Sequence, residues 1–387
     1  MTKQKRKICV VITARPSYSR IKTALQAIQN HPDLELQIVA AASLLLDRYG
    51  NAIDHVTKDG FFVNARVYMV LEGENLITSA KTTGLGMVEL ATVFDNLKPD
   101  VVVTIADRYE TIATAIAAAY MHIPLAHVQG GEVTGSIDEK VRHAVTKLAD
   151  YHFVTTEKAA ERVTRMGEDP DWVFVTGCPS IDLAAEVVAD PGPQINPFEK
   201  FGGVGSFVDL SNGYIVVMQH PVTSEYQSAR QHITETLYAV RDLGLPTLWF
   251  WPNVDAGSDG TSKGIRHFRE TEQPTNIHFF KDIPPLDFLR LVNHSRCIVG
   301  NSSVAVRECS FLGIPAVNIG NRQLGRERGP NVIDVGYERI EISQAIQKAI
   351  QSPRPPGVNL YGNGHAGEKI ADLLAVIPPR VEKRLTY

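Results

Sequence analysis

The sequence predicts an α/β protein of two Rossmann-like domains, each a doubly wound parallel sheet, with an interdomain cleft. Three observations predict it. Short apolar runs rich in β-branched residues alternate with helical patterns through the first half of the 387-residue chain. The alternation breaks at 189–213, ADPGPQINPFEKFGGVGSFVDLSNG, where Pro, Gly and Asn concentrate. It then restarts, repeating an architecture and not a sequence.

In chain order, KICVVITA (7–14) reads as the first strand, bounded by Arg15-Pro16. Further strands are expected at ELQIVAAAS, FFVNARV, DVVVTIA (100–106), IPLAHVQGG and YHFVTT (151–156). Helical patterns lie between them at 18–30, 86–97, 108–121, 138–149 and 157–166. The second half offers strands at YIVVMQHP (214–221), TLWFWP (247–252), NIHFF (276–280), CIVG (297–300) and IPAVNIG (314–320). Its helices are expected at 226–242, 260–270, 285–294 and 303–312, with a last one near 366–376. The expected domains are 1–188 and 214–365, joined by 189–213, with 366–387 as a C-terminal helix and tail.

Hydrophobic residues make up 44% of the chain and charged residues 21%, an ordinary globular composition. A net charge of −4 gives no general attraction to nucleic acid or to an anionic membrane. An anionic ligand therefore needs a local cationic patch. Cys9, Cys178, Cys297 and Cys309 show no metal-ligand spacing and read as reduced, mostly buried thiols of a cytoplasmic protein. The basic start before ICVVITA imitates a signal peptide, but the apolar run is short and lacks a small-residue cleavage site. No apolar stretch is long enough to span a bilayer.

Open α/β sheets bind ligands at the carboxyl ends of their strands. The polar residues just after strands are therefore the candidates. After the first strand, ARPSYSR puts Arg15, Ser19 and Arg20 in a strand-to-helix turn, either as anion ligands or as solvated arginines beside an ordinary cap, Ser17. ADRYE offers Asp107, either a cleft carboxylate or one half of a D-x-x-E capping box with Glu110. In QGGEVTGSIDEKVRH, Gly130 and Gly131 permit a tight turn, and Glu132, Asp138, Glu139, Arg142 and His143 follow closely. Asp138 and Arg142 could be an i,i+4 pair on a solvated face. Paired carboxylates are also how a fold runs acid and base chemistry near neutral pH. In the second half, His220 ends YIVVMQHP, and Asn253 follows TLWFWP. Asn301, Ser302 and Ser303 end CIVG at the start of an expected helix, with Arg307 and Glu308 one turn on. Arg322, Arg326 and Arg328 lie in a Gly-rich loop. Two adjacent hydroxyls at a helix start suit a diphosphate, whereas a plain cap requires only one. Asn253 and Glu308 could serve a base and a ribose.

Taken together, ARPSYSR, ADRYE, HVQGGEVTGSIDEKVRH, TGCPSID, MQHPVT, FWPNVDAG, VGNSSVAVRE and IGNRQLGRE resemble, in order, the hydrolysing UDP-N-acetylglucosamine 2-epimerases of bacterial sialic acid pathways. The resemblance runs from about residue 7 to about residue 375. It implies the glycosyltransferase-B arrangement of two Rossmann-like domains. It implies conversion of UDP-N-acetylglucosamine and water to N-acetylmannosamine and UDP, without a metal or redox cofactor. The implied route removes the C2 proton, expels UDP from C1 and adds water across the resulting 2-acetamidoglucal. The implied assembly is a homodimer or homotetramer.

Position by position, the resemblance assigns catalysis to Asp107, Glu132, Asp138, Glu139 and His220, the His contacting the diphosphate. It assigns nucleotide or substrate binding to Arg15, Ser19, Arg20, Gln129, Asn253, Asn301, Ser302, Ser303, Glu308 and Arg322. Gln129 departs from relatives that carry a catalytic Glu there, and a glutamine cannot act as a general base. That departure leaves the work to Glu132, Asp138 or Glu139, or implies a different sugar. Related enzymes act on a UDP- or GDP-linked diacetylbacillosamine in legionaminic acid synthesis. A non-hydrolysing 2-epimerase, a glycosyltransferase of the same fold and a non-catalytic sugar-nucleotide sensor are remoter alternatives.

Overall fold

A computed structural model describes residues 4–386 except 47–51, 73–75, 106–107, 135–137, 193–194 and 253–256. The chain divides into two units. The first comprises 1–132, 137–182 and 361–387, and the second 133–136 and 183–360.

The first unit holds strands β1 (Arg6–Ile12), β2 (Leu34–Ala41), β3 (Ala65–Val67), β4 (Val101–Ile105), β5 (Leu125–Val128), β6 (Tyr151–Val154) and β7 (Val173–Val175). They form one sheet in the order β3-β2-β1-β4-β5-β6-β7, and every pairing is parallel. The central strands are buried along their length because helices cover both faces. Two hydrophobic clusters flank the sheet, one containing Ile8, Val10 and Val103, the other Cys9, Val11 and Val102. Adjacent residues of one strand thus feed opposite layers.

The second unit holds β8 (Val204–Gly205), β9 (Ile215–Met218), β10 (Thr247–Phe250), β11 (Ile277–Phe280), β12 (Cys297–Gly300), β13 (Ala316–Ile319) and β14 (Val332–Val335). Their order is β14-β13-β12-β9-β10-β11-β8, parallel apart from the antiparallel edge strand β8. In both sheets the strand order reverses beside the first parallel strand, between β1 and β4 and between β9 and β12. Those switch points are where open α/β sheets present ligands.

The expected helix 18–30 is two helices, Arg15–Ser19 and Lys22–Asn30, and Ala14 rather than Ser17 occupies the capping position of the first. The expected helix 86–97 begins at Leu76. Its Ser, Thr and Gly residues lower helix propensity, but packing overrides that: Thr82 Oγ1 accepts from the Leu71 N–H, and Gly86 lies against Met69. The expected helix 303–312 breaks into a 3₁₀ turn, Ser303–Ala305, and a five-residue helix, Glu308–Leu312. Asn331 Nδ2 donates to the Ala305 carbonyl at 3.0 Å, taking an acceptor that a continuous helix would use. Strands β7 and β14 and the helices Pro179–Ala189 and Arg339–Gln351 were not expected from the sequence.

The final helix, Ala366–Val376, belongs to the first unit. Asp182 accepts from the Ala366 and Gly367 N–H groups at 2.8 and 2.7 Å and from Thr23 Oγ1 at 2.7 Å. One carboxylate thus anchors the N-terminus of that helix. All four cysteines are buried and outside any disulfide, and burial pushes the Cys9 and Cys297 thiols up to about 12. Among the described residues, no helix is long and apolar enough to cross a membrane.

Candidate functional site

Beyond β1, Arg15 opens the short helix and Arg20 follows it. Ser19 Oγ donates to the Arg15 carbonyl at 3.2 Å, and buried Tyr18 donates to Asp59 Oδ2. Burial, reinforced by Asp59, pushes the Tyr18 hydroxyl pKa well up. Beyond β4, Asp107 lies outside the described residues, as does Asn253 in the second unit. Helix Thr111–Tyr120 has Glu110 at its capping position, without a side-chain cap. Glu110 instead accepts from Arg108 Nε at 2.7 Å. The expected capping box is therefore not completed from the Glu110 side. Among the described residues, Glu110 Oε2, Thr111 Oγ1 and Thr114 Oγ1 are buried with no hydrogen-bond partner.

The β5 end is tightly built. Gln129 adopts φ +70°, unusual for a residue with a Cβ, and its side-chain amide donates to Cys178 Sγ at 3.0 Å. Gly131 has φ +73°, and a Cβ there would lie 2.3 Å from the Ala159 carbonyl oxygen, so glycine is required. That turn delivers Glu132 into the interior, where its Oε1 accepts from Thr155 Oγ1 at 3.0 Å. Arg142 is 1% exposed, which rules out for it the alternative of a solvated helix face. Its Nη1 donates to the Glu132 carbonyl and to Glu139 Oε2, each at 2.7 Å. Glu139 Oε1 also lies 3.1 Å from His143 Nε2. Asp138 and Glu139 occupy the first turn of helix Asp138–Leu148, where the peptide dipoles favour negative charge.

In the second unit, Asn301 bridges the switch point. Its Oδ1 accepts from the His220 N–H at 2.7 Å, and its Nδ2 donates to the His220 carbonyl at 2.8 Å. The Asn301 carbonyl accepts from Gln323 Nε2 at 2.9 Å and Arg322 Nη1 at 3.2 Å. His220, Asn301 and Arg322 are thus brought together. Gly300 must be glycine, since a Cβ would lie 2.2 Å from the Met218 carbonyl oxygen. Ser302 Oγ caps Val304 N–H at a long 3.4 Å, while Ser303 Oγ accepts from Arg307 Nη2 at 2.7 Å. Both hydroxyls thus have an internal role. Glu308 is buried, yet among the described residues its Oε2 has no hydrogen-bond partner, and neither does Gln219 Oε1. An ionised oxygen in that position is costly unless something completes it.

Residues 26–375 match the family model described as UDP-N-acetylglucosamine 2-epimerase. The chain belongs to that family. A Legionella pneumophila relative, UDP-N,N'-diacetylbacillosamine 2-epimerase (hydrolyzing), is 30% identical over 96% of each chain. The UDP-N-acetylglucosamine 2-epimerase of Neisseria meningitidis serogroup B is 29% identical over 89% of this chain and 87% of its own. A solved UDP-GlcNAc 2-epimerase from Neisseria meningitidis, bound to UDP-GlcNAc, has the same fold, with a TM-score of 0.77 at 19% identity over 95% of this chain and 99% of that one.

Within this epimerase family member, strand-end reasoning had pointed to Glu132, Glu139, His220, Ser302, Ser303 and Glu308. It named Arg142, His143, Asn301 and Arg307 nearby without pairing them with these residues, and it missed Thr155. Thr155 directly follows β6 and could have been found by the same rule. Cys178 and the inward turn of Arg307, 1% exposed, carry no such local signal.

Proposed function

We propose that the protein is a hydrolysing 2-epimerase that converts UDP-N-acetylglucosamine and water to N-acetylmannosamine and UDP. The observation that carries this reading is the β5 end, where Glu132 is buried against Thr155 and Glu139 is held by Arg142 and His143. A family member with fixed carboxylates there has the means for proton transfer at a sugar carbon. Gln129, amidated and turned onto Cys178, cannot be the base.

In the proposed reaction a carboxylate takes the C2 proton, and the C2 electron pair forms the C1–C2 double bond as the C1–O bond to UDP breaks. Water then adds its oxygen to C1 while a protonated group returns a proton to C2 from the opposite face. Asp107, Glu132, Asp138 and Glu139 are the proposed acids and bases. His220 is proposed to contact the diphosphate and Glu308 to accept from ribose hydroxyls. Ser302, Ser303, Arg15, Ser19, Arg20, Gln129, Asn253 and Arg322 are proposed to bind the nucleotide sugar. Asn301, whose side chain is engaged by the His220 backbone, is proposed to position that strand end.

A second reading has a specific motive. The Legionella relative is named for a diacetylbacillosamine nucleotide, and the same chemistry would serve a UDP- or GDP-linked sugar of that type. Proton NMR of the purified protein with UDP-N-acetylglucosamine in D2O separates the two. The expected products are free UDP and N-acetylmannosamine deuterated at C2. A C2 position without deuterium would reject deprotonation there, and an epimer still attached to UDP would reject hydrolysis. No turnover, with UDP binding seen by saturation transfer, would favour the bacillosamine nucleotides.

A further inference from the structure

Three neighbouring strand ends of the second unit are tied together by side chains. Asn301, after β12, holds the His220 backbone after β9, and its carbonyl accepts from Arg322 after β13. β12 lies between β9 and β13, so that tie runs through the middle strand. One carboxylate links the two outer ends directly. Glu225 follows His220 by five positions, in the 3₁₀ segment Thr223–Ser228. Its Oε1 accepts from Nδ2 of Asn321, the residue before Arg322, at 2.5 Å. Its Oε2 accepts from the Tyr337 hydroxyl at 2.9 Å.

The backbone bends to place this carboxylate. Glu225 has φ −121° and ψ 22°, which interrupts the 3₁₀ segment. Gly320 has φ +73°, and a Cβ there would lie 2.2 Å from the Tyr337 hydroxyl oxygen. Glycine at the head of the Arg322 loop is therefore what admits that hydroxyl. The Tyr337 ring is stacked on His232, with 3.6 Å between centroids and 6° between planes, and His232 Nδ1 lies 3.7 Å from Glu225 Oε2. Burial, reinforced by Glu225, pushes the Tyr337 hydroxyl pKa up, and burial pushes that of His232 down. At neutral pH Tyr337 is therefore a donor to Glu225 and His232 is uncharged.

Under the function proposed above, His220 contacts the diphosphate and Arg322 binds the nucleotide, where a guanidinium suits a phosphate by charge and by geometry. Both lie on loops, and a loop that is ordered only when the ligand arrives costs affinity. We infer that Glu225 is a positioning residue that fixes the His220 loop against the Arg322 loop before the diphosphate binds. It acts through Asn321 and through its own loop, without needing to touch the ligand. The inference rests on the proposed function and deepens it by naming a residue that preorganises the phosphate end of the site.

Calorimetric titration of the full chain with UDP and with uridine tests it. The wild type is expected to bind UDP. Glu225→Ala is expected to weaken UDP binding about ten-fold, the scale of one lost charge-assisted hydrogen bond. Uridine lacks the phosphates, and its affinity is expected to change less than about two-fold in the same variant. Glu225→Gln keeps the side-chain length and one acceptor oxygen, and is expected to recover part of the loss. Asn321→Ala is expected to weaken UDP binding on its own and to add little in the Glu225→Ala background, because the two residues share one tie. If Glu225→Ala does not fold, as judged by circular dichroism, Glu225→Gln and Asn321→Ala carry the same comparison of UDP with uridine. Unchanged UDP affinity in the folded variants, a uridine affinity that falls as far as that of UDP, or an Asn321→Ala loss that adds in full would each overturn the inference. A wild type that binds no UDP would overturn the function on which it rests, and the inference with it.

Discussion

The end of β5 and the end of β12 both present buried carboxylates just after a buried strand, but they are finished differently. Glu132 lies against Thr155, its own carbonyl is held by Arg142, and Arg142 reaches on to Glu139. Glu308 is equally buried, and among the described residues its Oε2 has no hydrogen-bond partner. A group that moves protons must be held in place before the substrate arrives, whereas a group that recognises hydroxyls can be completed by the ligand itself. Under the proposed function, the first region is the reaction machinery and the second the receptor.

The comparison is broken most directly through Glu132. Glu132→Gln keeps an acceptor for Thr155, so folding should be nearly unchanged, while kcat is expected to fall roughly 10²- to 10⁴-fold if Glu132 transfers a proton. Wild-type kcat in that variant would reduce Glu132 to a structural group. Arg142→Leu should act on folding as well. It removes the donor that Arg142 gives to the Glu132 carbonyl and to Glu139, at a cost of about 3 kcal/mol by urea denaturation. A variant as stable as wild type would mean that the β5 end does not depend on that brace.

Glu308→Gln should behave in the opposite sense. Losing a charge-assisted hydrogen bond predicts UDP binding about ten-fold weaker or more by calorimetry. Folding stability should hold or rise, because an uncompensated buried charge is removed. A destabilised Glu308→Gln with unchanged UDP affinity would make the two regions alike.

Much of this was legible in the sequence because the central strands are buried on both faces and read as continuous apolar runs. β7 and β14 were not, since both are short and half-exposed and carry no such run. The strand-end rule found the carboxylates and hydroxyls but not what each one touches. Glu110 shows the limit. Its spacing from Asp107 suits a capping box, yet the side chain pairs with Arg108, two residues away, and is buried. Asp182 is another case, since the helix it anchors begins at Ala366, far along the chain. Such partners are set by topology, and local pattern holds no record of them.

The smallest expected effect divides the two adjacent serines. Ser303 Oγ accepts from Nη2 of the buried Arg307 guanidinium at 2.7 Å. Ser303→Ala thus deprives a buried cation of an acceptor and should cost about 1–3 kcal/mol of stability. Ser302 makes only a 3.4 Å cap to a three-residue 3₁₀ turn. Ser302→Ala should therefore cost about 0.5 kcal/mol, the low end for a lost cap. If Ser302 serves the diphosphate, the loss should appear instead as UDP binding weakened several-fold. Equal losses of stability in the two variants, with UDP affinity untouched, would return Ser302 to the role of an ordinary cap.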